Sequence, residues 1–231
     1  MNLLALDTSS IACSVAVQTD KTTIERHEEQ PREHTRLLVP MIQSALSEAG
    51  ITLADLDAII LGNGPGSFIG MRIAASVAQG LAFGTGLKIV PVSSLAAVAA
   101  QIFAENDASE VVVAQDAHMH EVYLGIYRRD ADGLPVELKP ERLQGPAAIA
   151  ELESSLGGLR VAAGFGWQRY PDLLAANQAH IGKASDVLHP RACHLLRLGA
   201  VGLANGLAVA PQDVVPAYLR KKVAEKPARA P

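Results

Sequence analysis

The sequence predicts an α/β protein built from two related halves. Between residues 3 and 104, apolar patterns indicate three strands, a helix, a strand, a helix, a strand and a helix. A looser version of the same order begins at residue 111. The chain has 231 residues, of which 49% are hydrophobic and 19% charged. That is enough to form the cores of two domains of roughly a hundred residues each.

Composition limits the classes of function. The net charge of −4 argues against a disordered chain and against a generally cationic nucleic-acid binder. Apolar runs end well before eighteen residues, and the N-terminus lacks the pattern of a signal peptide. We therefore expect a soluble cytoplasmic protein that does not bind a membrane. Cys13 and Cys193 are expected to be buried thiols.

The first half begins with three antiparallel strands and an amphipathic helix. We predict strands at 3–6, 13–18 and 22–28 and a helix at 32–49. Gly50 ends this helix, Pro40 is expected to bend it, and His34 is expected to be a cap or a surface polar group. The apolar arc of the helix is wide, so one side could pack on the core and the other on a partner.

The segment from Gly62 to Leu87 is the least ordinary part of the chain. A buried strand at 58–61 leads into the turn Gly64, Pro65, Gly66 and Ser67. We predict a helix over 67–83 with Ser67 as N-cap and Gly84 as its end. Two sides of this helix have little side-chain bulk: Gly70, Ala74 and Ala78 on one, and Ser76, Gly80 and Gly84 on the other. Another backbone can therefore approach either side closely.

A strand, a glycine turn and a helix can also present backbone N–H groups to a phosphate. The segment from Gly64 to Gly70 is one residue too long for a dinucleotide fingerprint, and no lysine follows its glycines. A nucleophile elbow would need a glycine two residues after Ser67. Close helix packing, within the fold or against a partner, explains the small residues better, and phosphate binding remains the alternative.

The rest of the chain continues the two-half pattern. We predict strands at 88–92, 111–114, 121–128, 135–138 and 159–163, helices at 94–104, 147–156 and 190–205, and turns at 130–133 and 164–166. Residues 105–107 are the expected link between the halves. The basic tail, Arg220, Lys221, Lys222, Lys226 and Arg229 against Glu225, is expected to be solvated, with weak RNA or acidic-partner binding as the alternative.

Asp7 and Asp116 are paired carboxylates that the repeat relates, because each ends the first strand of its half. In a two-lobed nucleotide-binding fold such groups face a metal-bound phosphate. Ser9 and His118 stand where a glycine is expected after each aspartate, so we interpret these as degenerate phosphate-loop positions. If extended, the segment 118–120 puts two imidazoles on one side, which is a poor metal site without a third ligand.

Five motifs together resemble the TsaB (YeaZ) family. They are LALDTS at 4–9, PREHT at 31–35, GNGPGSFIGMRI at 62–73, AQGLA at 78–82 and PAYLR at 216–220. The resemblance covers nearly the whole chain. It implies two ribonuclease-H-like lobes of the actin, Hsp70 and sugar-kinase (ASKHA) superfamily, at 1–106 and 107–231. It leaves open that the last helix packs on the first lobe.

The resemblance also implies a role without catalysis. Members of this family support the subunit TsaD, which adds threonylcarbamoyl to adenosine 37 of tRNAs that read ANN codons. The related TsaD motif has two metal-binding histidines where this chain has Ser94 and Val98, so no metal or cofactor is expected. The implied partners are TsaD, the ATPase TsaE in an ATP-dependent ternary assembly, and a second copy of this chain when TsaD is absent. tRNA is contacted at most indirectly or through the tail.

By the same resemblance, the helices at 32–49 and 67–83 pair with their counterparts on the partner. The predicted interface residues are Leu38, Met41, Ile42, Ala45, Gly70, Met71, Ala74, Ala75 and Ala78. The competing hypothesis is an ATPase or small-molecule kinase of the same superfamily. A peptidase is a further alternative, for which the sequence offers no nucleophile.

Overall fold

Two five-stranded mixed sheets form the framework of the protein in a computed structural model that describes residues 1–153 and 160–220. The first sheet contains β1 Leu3–Asp7, β2 Ala12–Gln18, β3 Thr23–Glu29, β4 Ala58–Gly62 and β5 Ile89–Val92. The second contains β6 Glu110–Asp116, β7 Val122–Arg129, β8 Pro135–Gln144, β9 Arg160–Ala163 and β10 Ile181–Ala184. The helices are α1 His34–Ala49, α2 Phe68–Thr85, α3 Ser94–Glu105, α4 Ala150–Glu153, α5 Phe165–Arg169, α6 Pro171–Asn177 and α7 Ala192–Ala204.

The two sheets have the same connectivity. Their strand orders are β3-β2-β1-β4-β5 and, read from the corresponding edge, β8-β7-β6-β9-β10. In each, the first three strands pair antiparallel, and the fourth and fifth continue the sheet in parallel. The predicted α/β class and the predicted repeat are therefore confirmed.

Helices cover the sheets in layers. On one face of the first sheet, Leu38 and Ala45 of α1 and Ala74 and Ala78 of α2 belong to the same apolar cluster as the strands. Helix α7 covers the opposite face, where Leu195 and Leu196 lie in a second cluster. Although α7 follows the second sheet in sequence, it therefore completes the core of the first.

Helix α3 joins the two halves. Its Leu95, Val98 and Ile102 pack in a cluster with strands of the second sheet. At its N-terminus, the hydroxyl of Ser93 donates a hydrogen bond to Glu141 of β8, as does the hydroxyl of Tyr127. Burial raises the pKa of Glu141 above its usual value. The other face of the second sheet is covered by α4, α5 and α6, with Trp167, Tyr170 and Leu173 in its cluster.

Several predicted boundaries are wrong. Helix α1 begins at His34 because Arg32 adopts a left-handed φ of 66°, which interrupts a helix. Helix α2 continues through Gly84 to Thr85, because Gly86, with φ 75°, is the residue that forms the left-handed C-cap.

In the second half, β8 extends to Gln144, beyond the predicted residue 138, and α4 begins at Ala150 and not at the predicted residue 147. Residues 154–156, residue 159 and the tail from 221 lie outside the described residues. Strand β10 and helices α5 and α6 were not predicted, and α5 begins at Phe165, within the predicted turn at 164–166. All three are short, and α6 is adjacent to the five-residue α5, so no sustained periodicity marked them.

Candidate functional site

Asp7 is buried at the end of β1, where both of its carboxylate oxygens accept hydrogen bonds from the protein. The backbone N–H and the hydroxyl of Ser9 donate to Oδ1, each at 2.7 Å. The hydroxyl of Ser94, at the start of α3, donates to Oδ2 at 2.6 Å. The same hydroxyl oxygen accepts the N–H of Gly64 at 3.1 Å. The carboxylate therefore joins β1, the glycine turn and α3.

The glycines of the turn lie against the connection between β1 and β2. A Cβ atom at Gly66 would be 2.2 Å from the carbonyl oxygen of Ser9, and one at Gly70 would be 1.9 Å from that of Thr8. Side chains larger than hydrogen do not fit at these distances. The N–H of Ser67 donates to the carbonyl oxygen of Ser9 at 2.6 Å. The glycine motif therefore permits an internal contact between two loops.

The start of α2 is likewise bonded within the chain. Ser67 is the N-cap as predicted, since its hydroxyl oxygen accepts the N–H of Gly70 at 3.2 Å. The Thr8 hydroxyl donates to the carbonyl oxygen of Gly70 at 2.7 Å. The turn contains a cis peptide bond between Gly64 and Pro65. The N–H groups of Ser67 and Gly70 therefore already have partners within the chain and do not favour phosphate binding at this turn.

The second half repeats this arrangement at Asp116. The N–H of His118 and the hydroxyl of Tyr170 donate to its Oδ1 at 2.8 and 2.7 Å. Burial and the bond to Asp116 together raise the pKa of Tyr170 to about 12. Gly164 and Gly166 approach the end of β6, where added Cβ atoms would lie 2.3 and 2.8 Å from the carbonyl oxygen of Ala114. In both halves the residue at the expected glycine position donates to the aspartate.

The segment from His118 to His120 is not extended. The prediction that an extended backbone would put both imidazoles on one side is therefore wrong. Its three residues have left-handed φ angles of 57°, 54° and 60°. Among residues 1–153 and 160–220, no group of three or more His, Cys, Asp or Glu side chains is placed to hold a metal ion. His34, predicted as a cap or surface group, is instead buried at the start of α1.

The residues predicted for the partner interface need correction. The structure buries all nine within the protein's own core: Leu38, Met41, Ile42, Ala45, Gly70, Met71, Ala74, Ala75 and Ala78. The first sheet covers this side of α1 and α2, although Leu38 also borders the outward side of these helices. The predicted interface on these helices stays a prediction.

The outward side of the same helices forms an apolar groove, which we call the α1–α2 groove. It has a volume of about 380 Å³ and is lined by Thr35, Leu38, Val39, Ile69, Arg72, Ile73, Ser76 and Val77. Ile69 is 70% exposed and Phe83, further along α2, is 65% exposed. Exposed side chains of this size are more typical of an interaction surface than of a solvated helix.

The segment after α7 that contains the PAYLR motif connects the two halves, a role that the sequence analysis did not predict. The N–H of Ala217 donates to the carbonyl oxygen of Asn63 at 3.0 Å, and Arg72 donates to the hydroxyl of Tyr218 at 3.0 Å. Arg220 then pairs with Glu121 at 2.6 Å and donates to the carbonyl oxygen of Ala117 at 2.9 Å. Arg220, predicted to begin a solvated tail, is therefore held by the second half.

Comparison with known proteins agrees with this geometry. Residues 21–228 match the family model described as TsaD, tRNA N6-adenosine threonylcarbamoyltransferase. The tRNA threonylcarbamoyladenosine biosynthesis protein TsaB of Escherichia coli is 39% identical, over 98% of this chain and 97% of that protein. The TsaB protein of Haemophilus influenzae is 37% identical, over 98% and 96%. The chain belongs to the TsaB family.

Two solved structures of Pseudomonas aeruginosa proteins are similar to this member of the family. One, described as an uncharacterized protein with similarity to peptidase YEAZ, has a TM-score of 0.87 and 37% identity, covering 95% of this chain and 99% of that one. The other, described as YeaZ, has a TM-score of 0.83 and 35% identity, covering 94% and 99%.

No helix within the described residues is long and apolar enough to cross a membrane.

The glycine contacts predict opposite effects for two substitutions within α2. Gly70→Ala should destabilise the fold by about 1–3 kcal/mol, because its methyl group would overlap the Thr8 carbonyl oxygen. Gly80→Ala should stabilise it by about 0.5–1 kcal/mol, because nothing lies within 4 Å and alanine favours a helix. Urea unfolding measures both, and equal effects would contradict the internal role of Gly70.

The buried Asp7 cluster predicts a cost for Ser94→Ala. Removing this hydroxyl takes one donor from a buried carboxylate and one acceptor from Gly64, which should lower the free energy of unfolding by about 1.5–3 kcal/mol. Ser76→Ala, at an exposed position on α2, is the matched control and should change it by less than about 0.5 kcal/mol. Similar values for the two variants in urea unfolding would show that Ser94 does not hold Asp7.

Proposed function

We propose that the chain is a non-catalytic subunit of the assembly that adds the threonylcarbamoyl group to adenosine 37 of tRNAs reading ANN codons. It pairs with the catalytic subunit TsaD and works with the ATPase TsaE, in the cytoplasm. Two ribonuclease-H-like lobes of the ASKHA superfamily form its scaffold, at 1–106 and 107–231, with α7 of the second range packed back on the first sheet. The names of its relatives support the pathway, and the site geometry supports the division of roles.

The main support for a non-catalytic role is the internal bonding of Asp7. In a nucleotide-binding relative, this carboxylate would face a metal-bound phosphate. Here its oxygens accept hydrogen bonds from Ser9 and Ser94. Ser94 and Val98 stand where the resemblance places metal-binding histidines, and both are fully buried. A hydroxyl bonded to Asp7 and an apolar side chain supply no ligand pair for a metal.

The α1–α2 groove supports a role through pairing. Its lining includes Val39, Ile69 and Ile73, and the exposed Phe83 continues the apolar surface along α2. A long apolar groove between two helices suits the helices of another chain. Arg72 lies at one end, 3.7 Å from the centre of the Phe68 ring, and gives the surface a fixed polar group. The same surface would permit a homodimer in the absence of TsaD, because a twofold pair buries one patch on both copies.

Pairing is tested by Ile69→Asp, which places a charge in the exposed part of the groove. We expect TsaD affinity to fall at least tenfold, equivalent to about 1.4 kcal/mol, because the carboxylate would be buried without a partner. Val136→Asp, at an exposed apolar position on the second sheet, is the matched control and should change affinity less than twofold. Isothermal calorimetry with purified TsaD measures both. Equal affinities for the two variants would overturn the proposed surface.

Catalytic inactivity is tested by assaying threonylcarbamoyl transfer to an ANN-decoding tRNA. The chain alone should give no transfer, whereas the chain with TsaD and TsaE should give more than TsaD and TsaE without it. The physical reason is that the Asp7 cluster is closed by its own hydrogen bonds. Transfer by the purified chain that is lost in Asp7→Asn would refute this part of the proposal.

A further inference from the structure

A polar pocket lies on the second half of the protein, beside the turn that follows β6. It has a volume of about 350 Å³, and its lining includes His118, Met119, His120, Arg169, Tyr170 and Asp172. These residues are separate from the Asp7 cluster and from the α1–α2 groove. The arguments for the proposed function therefore make no use of this pocket.

The turn at one side of the pocket has an unusual and well-fixed backbone. Three consecutive residues with side chains have left-handed φ angles, a conformation uncommon outside glycine. Hydrogen bonds hold the turn at both ends: the N–H of Ala117 donates to Glu121 and the N–H of Glu121 donates to His118, each at 3.0 Å. Arg220 adds its bond to the Ala117 carbonyl oxygen. The turn therefore presents its side chains in a set direction, and that of His118 is 81% exposed.

The chemistry of the lining suits a nucleotide. The ring of His120 is exposed to solvent and lies perpendicular to that of Tyr170, with centroids 5.3 Å apart and planes at 89°, so part of the imidazole is open to a stacking base. Arg169 lies 5.4 Å from the Tyr170 ring and is exposed to solvent. Aromatic rings that stack on bases, combined with a cation for the phosphate, are typical of sites for unpaired nucleotides in RNA.

The charges favour a nucleotide within a strand over a free nucleotide. The lining has one guanidinium, Arg169, and one acidic side chain, Asp172, while Asp116 beneath them accepts bonds from Tyr170 and His118. This balance suits the single charge of a phosphodiester better than the several charges of a free di- or triphosphate. Arg220 lies at the edge of the turn, 3.6 Å from the sulfur of Met119. The sequence then continues with Lys221 and Lys222, which would add attraction for a polyanion.

We propose that this pocket binds an unpaired nucleotide of RNA, with a base stacked on His120 and a phosphodiester held by Arg169. The choice of RNA rests on the proposed function, whose substrate is modified within the single-stranded anticodon loop. The inference adds a contact surface on the second half that is independent of pairing through the α1–α2 groove.

The experiment measures binding of a fluorescent anticodon stem-loop RNA to the full chain by anisotropy. We expect His120→Asn to weaken binding by about fivefold or more, because one stacking partner is lost. Asparagine tolerates a left-handed φ, so this variant keeps the turn. Arg169→Ala should weaken binding similarly and reduce the slope of log affinity against log salt by about 0.7, as expected for one lost phosphate contact on a single strand.

Lys88→Ala is the matched control, since it removes one charge from an exposed position on the first sheet and should change RNA affinity less than twofold. Unchanged RNA affinity in both pocket variants would overturn the proposal. This includes the result that only a truncation after Arg220 weakens RNA binding. Pocket-dependent binding of adenosine monophosphate without binding of the RNA, or an effect of these variants on TsaD affinity alone, would also overturn it. The calorimetric assay of pairing with TsaD contains no RNA. A failure of the proposed pairing can therefore be distinguished from a failure of RNA binding.

Discussion

The contact between the glycine turn and the end of β1 is the constraint on which the rest of the first half depends. Gly66 and Gly70 bring α2 against the backbone of residues 8–9, and Asp7 bonds to Ser9 on one side and Ser94 on the other. A buried carboxylate is costly unless donors surround it, so the three segments must assemble together. The position of the start of α2 follows from this contact, because α2 can approach the carbonyl oxygens of Thr8 and Ser9 only where side chains are missing.

The same contact changes the surroundings of Asp7 relative to those of a nucleotide-binding site. In a nucleotide-binding fold of this shape, the space next to the aspartate is left for phosphate oxygens and a metal. In this chain the N–H of Ser67 is already bonded to the carbonyl oxygen of Ser9, and Oδ2 of Asp7 is already bonded to the hydroxyl of Ser94. These are groups that such a ligand would use. The second half differs in degree: Asp116 is also bonded internally, but its neighbours His118 and His120 are exposed and border a pocket. The two halves therefore share a backbone design while presenting different surfaces.

Elements with strong periodicity could be predicted from the sequence, whereas contacts between residues distant in the chain could not. Every strand except β10, and helices α1, α2, α3 and α7, were predicted, because each has a sustained apolar pattern or a clear turn at its ends. The bond between Asp7 and Ser94 spans 87 positions, and only the assembled sheet brings the two residues together. The end of α2 was misplaced because Gly84 and Gly86 are equally good stops in sequence, and only the backbone decides which becomes left-handed.

The burial of the predicted interface residues within the single chain could not be foreseen for a related reason. An apolar stripe such as Leu38, Met41 and Ala45 shows which side of a helix avoids water, but not whether its own sheet already covers that side. The open side of α2 is less apolar by composition, since it includes Gly80 and Gly84 as well as Ile69 and Phe83. Glycine inside an exposed helix costs about 0.8–1.0 kcal/mol relative to alanine, and neither glycine has an atom within 4 Å of where a Cβ would be. No contact among the described residues of the single chain offsets that cost, whereas close packing of a partner helix on the α2 backbone would offset it. The glycines that the monomer does not use are thus the sequence feature that best supports pairing through this side of α2.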